Sequence, residues 1–252
     1  MIKIHVLNCI STIEELDIDV LNRNNIGVEI QDFVEPNLSQ KEKNNLISEY
    51  KERLADLKGS IAIHGPFLDL KPSSPDPDIR RVSIEKYLES LEIARQLNAD
   101  YIIFHSQINP HLNSPSLKEL NNFQAKDFWE EALTLTEFKG VILLENIFEE
   151  TPLMLKELIE CIDNDRIRIN LDIGHLNLSK ASLKDWIVGL KDYIAYIHIH
   201  GNNGIYDQHN SPSESLIEEV FLNLMNLKLN PKIALEYKID NLYKEINRYN
   251  HF

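Results

Sequence analysis

The chain has 252 residues, 43% hydrophobic content, a net charge of −14 and two cysteines. That length supports a large core and fits one (β/α)8 barrel better than a compact α+β domain. The charge argues against broad polyanion binding. Cys9 and Cys161 stand too far apart in sequence for a disulfide framework and point to a reducing cytoplasm.

The N-terminus reads as a strand over 2–7 ("IKIHVL"), not as a signal peptide, and no apolar run reaches the length of a membrane span. A helix is expected over 12–23 with Ser11 as its cap, then a strand over 26–30 and a helix over 40–57 capped by Ser39. Strand 60–64 leads to helix 79–99, where Val82, Leu88, Leu91, Ile93 and Leu97 make an apolar face. Strand 101–105, helix 126–138, strand 141–145 and helix 152–163 follow, the last opened by Thr151 and Pro152. Strand 167–172, helix 180–192, strand 195–200, helix 213–228, strand 232–236 and helix 239–249 complete the series. Strict alternation implies a parallel sheet, and so many units in this length favour closure into a (β/α)8 TIM barrel. No linker or change of composition interrupts 1–252, which is read as one domain. The longest connections, 65–77, 106–116 and 201–212, all follow strands, and in a barrel those loops form the active-site face.

The polar strand endings carry the chemistry. They are His64, His105, Glu145, Asp172, His198 with His200, and Glu236, on the third to eighth strands in turn. Residues two apart share a face of a strand. Glu145 therefore lies with Val141 and Leu143, Glu236 with Ala234, and His198 with Tyr196 and His200, while Ile197 and Ile199 face the helices. His175 in "DIGH", and Asp207 and His209 in "YDQH", follow strand ends closely. "GNNG" (201–204) supplies the turn that brings the chain back across the mouth.

Six of the nine histidines thus gather at one end of the barrel. His5 reads as a core residue, His111 and His251 as surface residues. Carboxylates buried together raise one another's pKa and cost stability, and a divalent cation removes that cost. Mixed imidazole and carboxylate donors suit zinc, manganese, iron or cobalt better than magnesium or calcium. Arg80 and Arg81 read as the solvated first turn of a helix, and Cys9 as a small buried thiol.

Taken in order, "HGPF" (64–67), "FHSQ" (104–107), "LLENI" (143–147), "LDIGH" (171–175), "HIHGNNGIYDQH" (198–209) and "LEYK" (235–238) resemble the xylose-isomerase-like TIM barrels. That superfamily includes sugar-phosphate isomerases and epimerases and the endonuclease IV type of apurinic endonuclease. The resemblance spans nearly the whole chain. It implies a four-ligand metal site at Glu145, Asp172, His198 and Glu236. It also implies the further ligands of a three-zinc site at His64, His105, His175, Asp207 and His209. The stretch after D-x-H reads "NSPSES" where the family carries a glycine-containing segment, a departure in that loop.

Two enzymatic readings follow. In the first, a divalent ion, zinc or manganese, polarises a carbonyl of a small sugar or sugar phosphate, and the catalytic pair Glu145 and Glu236 moves a proton at the neighbouring carbon. Glu29, Phe67, His200 and Lys238 are then candidate substrate contacts. For Glu29 a purely structural role reads equally well. In the second, up to three ions support an endonuclease IV-like phosphoesterase. Against a nucleic-acid partner, the loop "QDFVEPNLS" has no arginine, and 145–151 adds Glu149 and Glu150. Such a mouth is poor in groups that hold DNA phosphates. A barrel that only binds has no reason to keep a complete ligand set.

Overall fold

A computed structural model describes residues 5–112 and 114–249. Eight parallel strands close in chain order into a barrel: β1 (His5–Ile10), β2 (Gly27–Ile30), β3 (Ile61–His64), β4 (Tyr101–His105), β5 (Val141–Glu145), β6 (Ile167–Asp172), β7 (Ile194–Ile199) and β8 (Lys232–Leu235). The helices are α1 (Ile18–Asn24), α2 (Gln40–Arg53), α3 (Pro77–Gln96), α4 (Pro115–Leu135), α5 (Pro152–Ile162), α6 (Ile173–Leu176), α7 (Leu183–Leu190), α8 (Glu214–Leu227) and α9 (Leu242–Tyr249). Among the described residues, no helix is long and apolar enough to cross a membrane.

Alternation gives each strand two apolar faces. Outward residues such as Ile63, Ile102, Phe104, Ile142 and Ile197 pack on the helices through Tyr87, Leu91, Leu155 and Trp186. Inward, Leu7, Ala62, Ile103, Leu143, Tyr196 and Ala234 plug the barrel floor. Each large apolar side chain buried this way contributes about 1.5–3 kcal/mol. The next inward position along most strands is polar, so the apolar plug supports a polar layer at the carboxyl end.

Register sets which polar groups meet. His105 pairs with Glu145, Glu145 with Asn170, Asp172 with His198, and Cys9 with Glu29. Between β6 and β7 the register shifts: Ile169 pairs with Ile194, but Asn170 pairs with Tyr196. Ala195 is the extra residue of this bulge. Ile194 packs outward, whereas Ala195 and Tyr196 both touch the floor cluster. Without the bulge, Asp172 would stand beside the outward Ile197.

Several helices are shorter than the sequence expectation, α2 ending at Arg53 and α7 spanning only Leu183–Leu190, and four elements differ further. The first strand runs His5–Ile10, set by pairing of His5–Asn8 with β8 and of Leu7–Ile10 with β2; residues 2–4 lie outside the described residues. The helix expected over 12–23 splits into a 3-10 turn at Ile13–Glu15 and α1. Asp17 caps α1 by accepting from the Val20 N–H at 3.0 Å. Ser11 is no cap; its own N–H donates to Glu15 at 2.9 Å. Helix α4 starts at Pro115 rather than 126, because the polar run "SLKELNNFQ" hides its periodicity. The short α6 follows β6 directly and is capped by the Asp172 carboxylate. Elsewhere Ser39 forms a full capping box with Glu42, and Pro152 opens α5 as expected, although the Thr151 side chain makes no cap hydrogen bond. His111 is exposed, and His251 lies outside the described residues.

Candidate functional site

The inner centre forms around one ring nitrogen. His198 Nδ1 lies 2.9 Å from Glu236 Oε2, 3.4 Å from Glu145 Oε2 and 3.5 Å from Asp172 Oδ2. These groups come from β7, β5, the end of β6 and the residue just after β8. Neither His198 Nδ1 nor Glu236 Oε2 makes a hydrogen bond, although both atoms are buried. Buried polar atoms are normally paired. Three carboxylates aimed at one unpaired imidazole nitrogen fit the donor set of a divalent cation.

Two further groups adjoin it. His64 Nε2 and His105 Nε2 lie 3.6 and 3.9 Å from the Glu145 carboxylate. On the other side, His175 Nε2 and His209 Nε2 approach Asp207 Oδ2 at 3.2 and 2.7 Å. His175 Nδ1 stands 3.3 Å from Glu145 Oε1, which links this group to the centre. The loop 201–210 delivers Asp207 and His209. It is clipped at its base by two backbone hydrogen bonds between Gly201 and Asn210, at 2.7 and 2.8 Å. Gly204 turns it with φ +74°, and His209 holds φ 47°. A left-handed backbone at a non-glycine residue costs about 1–2 kcal/mol. Here it accompanies the stacking of His209 on His200 at 4.0 Å.

A second layer holds these side chains. Asn146 clamps the Asp172 backbone, donating to its carbonyl at 3.0 Å and accepting from its N–H at 2.8 Å. Asn170 donates to Glu145 Oε2 at 2.9 Å. Gln31 donates to Glu236 Oε1 at 2.8 Å and to Glu29 Oε1 at 3.2 Å. The sequence reading passed over Gln31, Asn146 and Asn170. Their signal was positional: Asn170 and Gln31 sit two residues from Asp172 and Glu29, and Asn146 follows Glu145.

The family model for the xylose isomerase-like TIM barrel matches residues 26–249. The chain belongs to that family. The uncharacterized protein MJ1311 of Methanocaldococcus jannaschii is 30% identical over 191 residues, 71% of this chain, and the chain covers 64% of that relative's length. The crystal structure of a D-tagatose 3-epimerase-like protein superposes with a TM-score of 0.75 at 24% identity, covering 98% of this chain and 95% of that one. The 3-keto-D-glucoside 4-epimerase of Escherichia coli gives a TM-score of 0.69 at 14% identity, covering 99% and 98%. These two likenesses show the fold.

The electrostatics of this xylose isomerase-like barrel are those of a self-neutralising cluster. Burial opposes charge on His198, but Glu236, Glu29 and Glu145 raise its pKa well above the ordinary imidazole value. Burial likewise opposes the charge on Glu145 and Asp172, yet the surrounding histidines hold both well below the usual carboxylate range. Against the pull of burial, Asp207 is lowered by its hydrogen bonds with His175 and His209, and His209 is raised to about 9 by its bond with Asp207. A cation held by these donors would have to compete with protons for the raised histidines. His105 is the exception, since burial pushes it down to about 3 and leaves a neutral ring.

The remaining predicted residues divide. Phe67 is half-buried and stacks on His105 at 4.3 Å, with interplanar angle 13°. Lys238 is exposed on the rim of a cavity of about 790 Å³ that Gln31, His209, Glu236 and Tyr237 also line. Glu29 and His200 have no exposed surface. Glu29 lies behind His198, and His200 is wedged between Asp172, at 3.1 Å, and Asp207, at 3.5 Å, both as enclosed as Asp172 and His198 themselves.

Proposed function

We propose that this barrel is a metal-dependent isomerase or epimerase acting on a small sugar-like molecule. The observation that carries the reading is the unpaired His198 Nδ1 facing the carboxylates of Glu145, Asp172 and Glu236. Those four residues would hold the ion. Zinc or manganese, when bound, supplies a Lewis acid for a substrate carbonyl and its neighbouring oxygen.

The protein's own part is proton transfer. Glu145 and Glu236 approach from strand ends three places apart in the barrel. Two carboxylates so placed serve opposite faces of one carbon: one removes the proton beside the carbonyl, the other returns one. Glu236 is the better placed base. Gln31 holds its Oε1, its Oε2 is unpaired, and the residue lines the mouth cavity. Phe67 closes one wall, and Lys238 meets substrate hydroxyls or a phosphate at the rim. The epimerases among the structural neighbours agree with a sugar-like substrate. The test is exchange of the proton next to the carbonyl, followed by NMR in heavy water across a ketose panel with metal supplied. Exchange that disappears in Glu236→Gln is expected, and no exchange with any sugar overturns the reading.

One observation favours a second reading. The donor groups His64, His105 and Glu145; Glu145, Asp172 and His198; and His175, His200, Asp207 and His209 are contiguous through Glu145. Such a layout suits several ions and hydrolysis of a phosphoester. Cleavage of a duplex with an abasic site, lost on Glu145→Gln, would support it.

A further inference from the structure

We infer that Glu29 is a positioning residue that makes His198 a donor through Nδ1, a role that rests on the metal-dependent reading above. Four observations converge on it. Glu29 Oε2 lies 2.9 Å from His198 Nε2. The same oxygen accepts from the Tyr196 hydroxyl at 2.8 Å. Glu29, Tyr196 and His198 are all fully buried. His198 Nδ1, the other ring nitrogen, has no hydrogen bond and faces three carboxylates.

The logic is that of donor and acceptor counting. A carboxylate only accepts, so the hydrogen between Glu29 and His198 belongs to Nε2. In a neutral imidazole, a proton fixed on Nε2 leaves Nδ1 with a free lone pair. The hydrogen bond also fixes the ring plane and raises the basicity of the coordinating nitrogen. Tyr196 cannot replace Glu29 here, because its hydroxyl is spent on the same oxygen. Strand alternation places Tyr196 and His198 on one inward face, and Glu29 reaches both across the barrel interior from β2. The second carboxylate oxygen extends the device. Gln31 bridges Glu29 Oε1 and Glu236 Oε1, at 3.2 and 2.8 Å, so the same residue orients a second member of the centre.

Two other roles for Glu29 compete. A substrate contact would have to displace the Tyr196 and His198 hydrogen bonds from one carboxylate oxygen or the Gln31 bond from the other. A direct ligand role would use Cys9, Glu29 and His198, which also lie within reach of one ion. In that arrangement His198 would coordinate through Nε2, and Nδ1 would be the protonated nitrogen.

The experiment uses the full chain stripped of metal by a chelator. Zinc affinity is measured by competition with a chromophoric chelator for the wild type, Glu29→Gln and Tyr196→Phe. Binding by the wild type is the precondition; its absence would sink the metal-dependent reading itself. Given binding, Glu29→Gln keeps an acceptor oxygen but removes the carboxylate charge that makes the coordinating nitrogen more basic, and is expected to lose about 10–100-fold in affinity, the usual effect of altering such a partner. Its thermal midpoint without metal is expected to stay close to the wild-type value, since glutamine still accepts from Tyr196. Tyr196→Phe, which leaves Glu29 on the ring, is expected to lose less. Unchanged affinity in Glu29→Gln overturns the inference, as does an affinity loss matched by equal destabilisation of the metal-free protein. Nitrogen-15 spectra of histidine-labelled wild type give a check that needs no variant. A proton on Nε2 of zinc-bound His198 is expected. A proton on Nδ1, or a sulfur-to-metal charge-transfer band with cobalt, places the ion on the Cys9 side and overturns it.

Discussion

Gly174 and His200 fit so closely that a Cβ on the glycine would stand 1.9 Å from Cε1 of the imidazole. The ring has nowhere to go, because His209 stacks on it at 4.0 Å and Asp172 holds its Nε2 at 3.1 Å. Gly174→Ala is therefore expected to destabilise the protein by about 1–3 kcal/mol, the usual range for overpacking. The urea midpoint of metal-free protein is the measurement. An unchanged midpoint would show that the ring moves freely.

The inner centre predicts a ligand effect on stability. Zinc or manganese present at about 100 times its dissociation constant should stabilise the fold by about 2.7 kcal/mol. His198→Ala removes the nitrogen on which the three carboxylates converge and should abolish the thermal shift. A shift that survives the substitution would place the ion elsewhere in the barrel.

Asn146 satisfies both the N–H and the carbonyl of Asp172 in a fully buried setting. Asn146→Ala removes both of these hydrogen bonds. The expected cost is about 1–3 kcal/mol for each group that finds no new partner. Chemical denaturation of the metal-free protein measures it, and metal affinity should fall in parallel because Asp172 is no longer fixed.

Glu149 supplies a pH test away from the cluster. Its carboxylate accepts from the Ser106 hydroxyl and from the N–H groups of Ile147 and Phe148. Burial nonetheless raises its pKa above the ordinary value, outweighing those hydrogen bonds. The folded state thus binds this proton more tightly than the unfolded state. Its contribution to stability is fully present below the unfolded pKa and is lost as pH rises through the raised folded value. The stability difference between wild type and Glu149→Gln should therefore shift against the wild type across that window. A difference that stays flat with pH would refute the assignment.

His105 should remain neutral in metal-free protein down to about pH 3, because burial dominates its environment. Phe67 covers one face of the ring. Phe67→Ala admits water to that face, so the pKa should rise toward the ordinary imidazole value. An NMR titration of both proteins reads this directly.

The barrel was legible because eight apolar runs alternate with helical patterns, six of those runs end in polar residues, and alternation along a strand is a local property. β4, β5 and β6 lie where the apolar runs place them. The site was legible for the same reason: Glu145, Asp172 and His198 carry their direction in the alternation of their own strands. What stayed hidden depends on pairing between segments. The bulge at Ala195 sets the level of His198 against Asp172, but no local pattern in β7 marks it. The depth of Glu29 and His200 depends on what covers them, so the inward direction of Glu29 was readable and its burial behind His198 was not. The start of α4 was hidden by polar residues whose helix is held by neighbours rather than by its own apolar stripe.

The clip between Gly201 and Asn210 separates two classes of donor. Glu145, Asp172 and His198 belong to strands, and moving any of them would disturb the register of the barrel. Asp207 and His209 ride on a loop whose base is closed by two backbone hydrogen bonds and tied to Gly174 through Asn202, so its tip can be exchanged while the strands stay as they are. The capacity of the centre is thus a trait that a short insertion or deletion can change in one step, whereas its location is inherited with the fold.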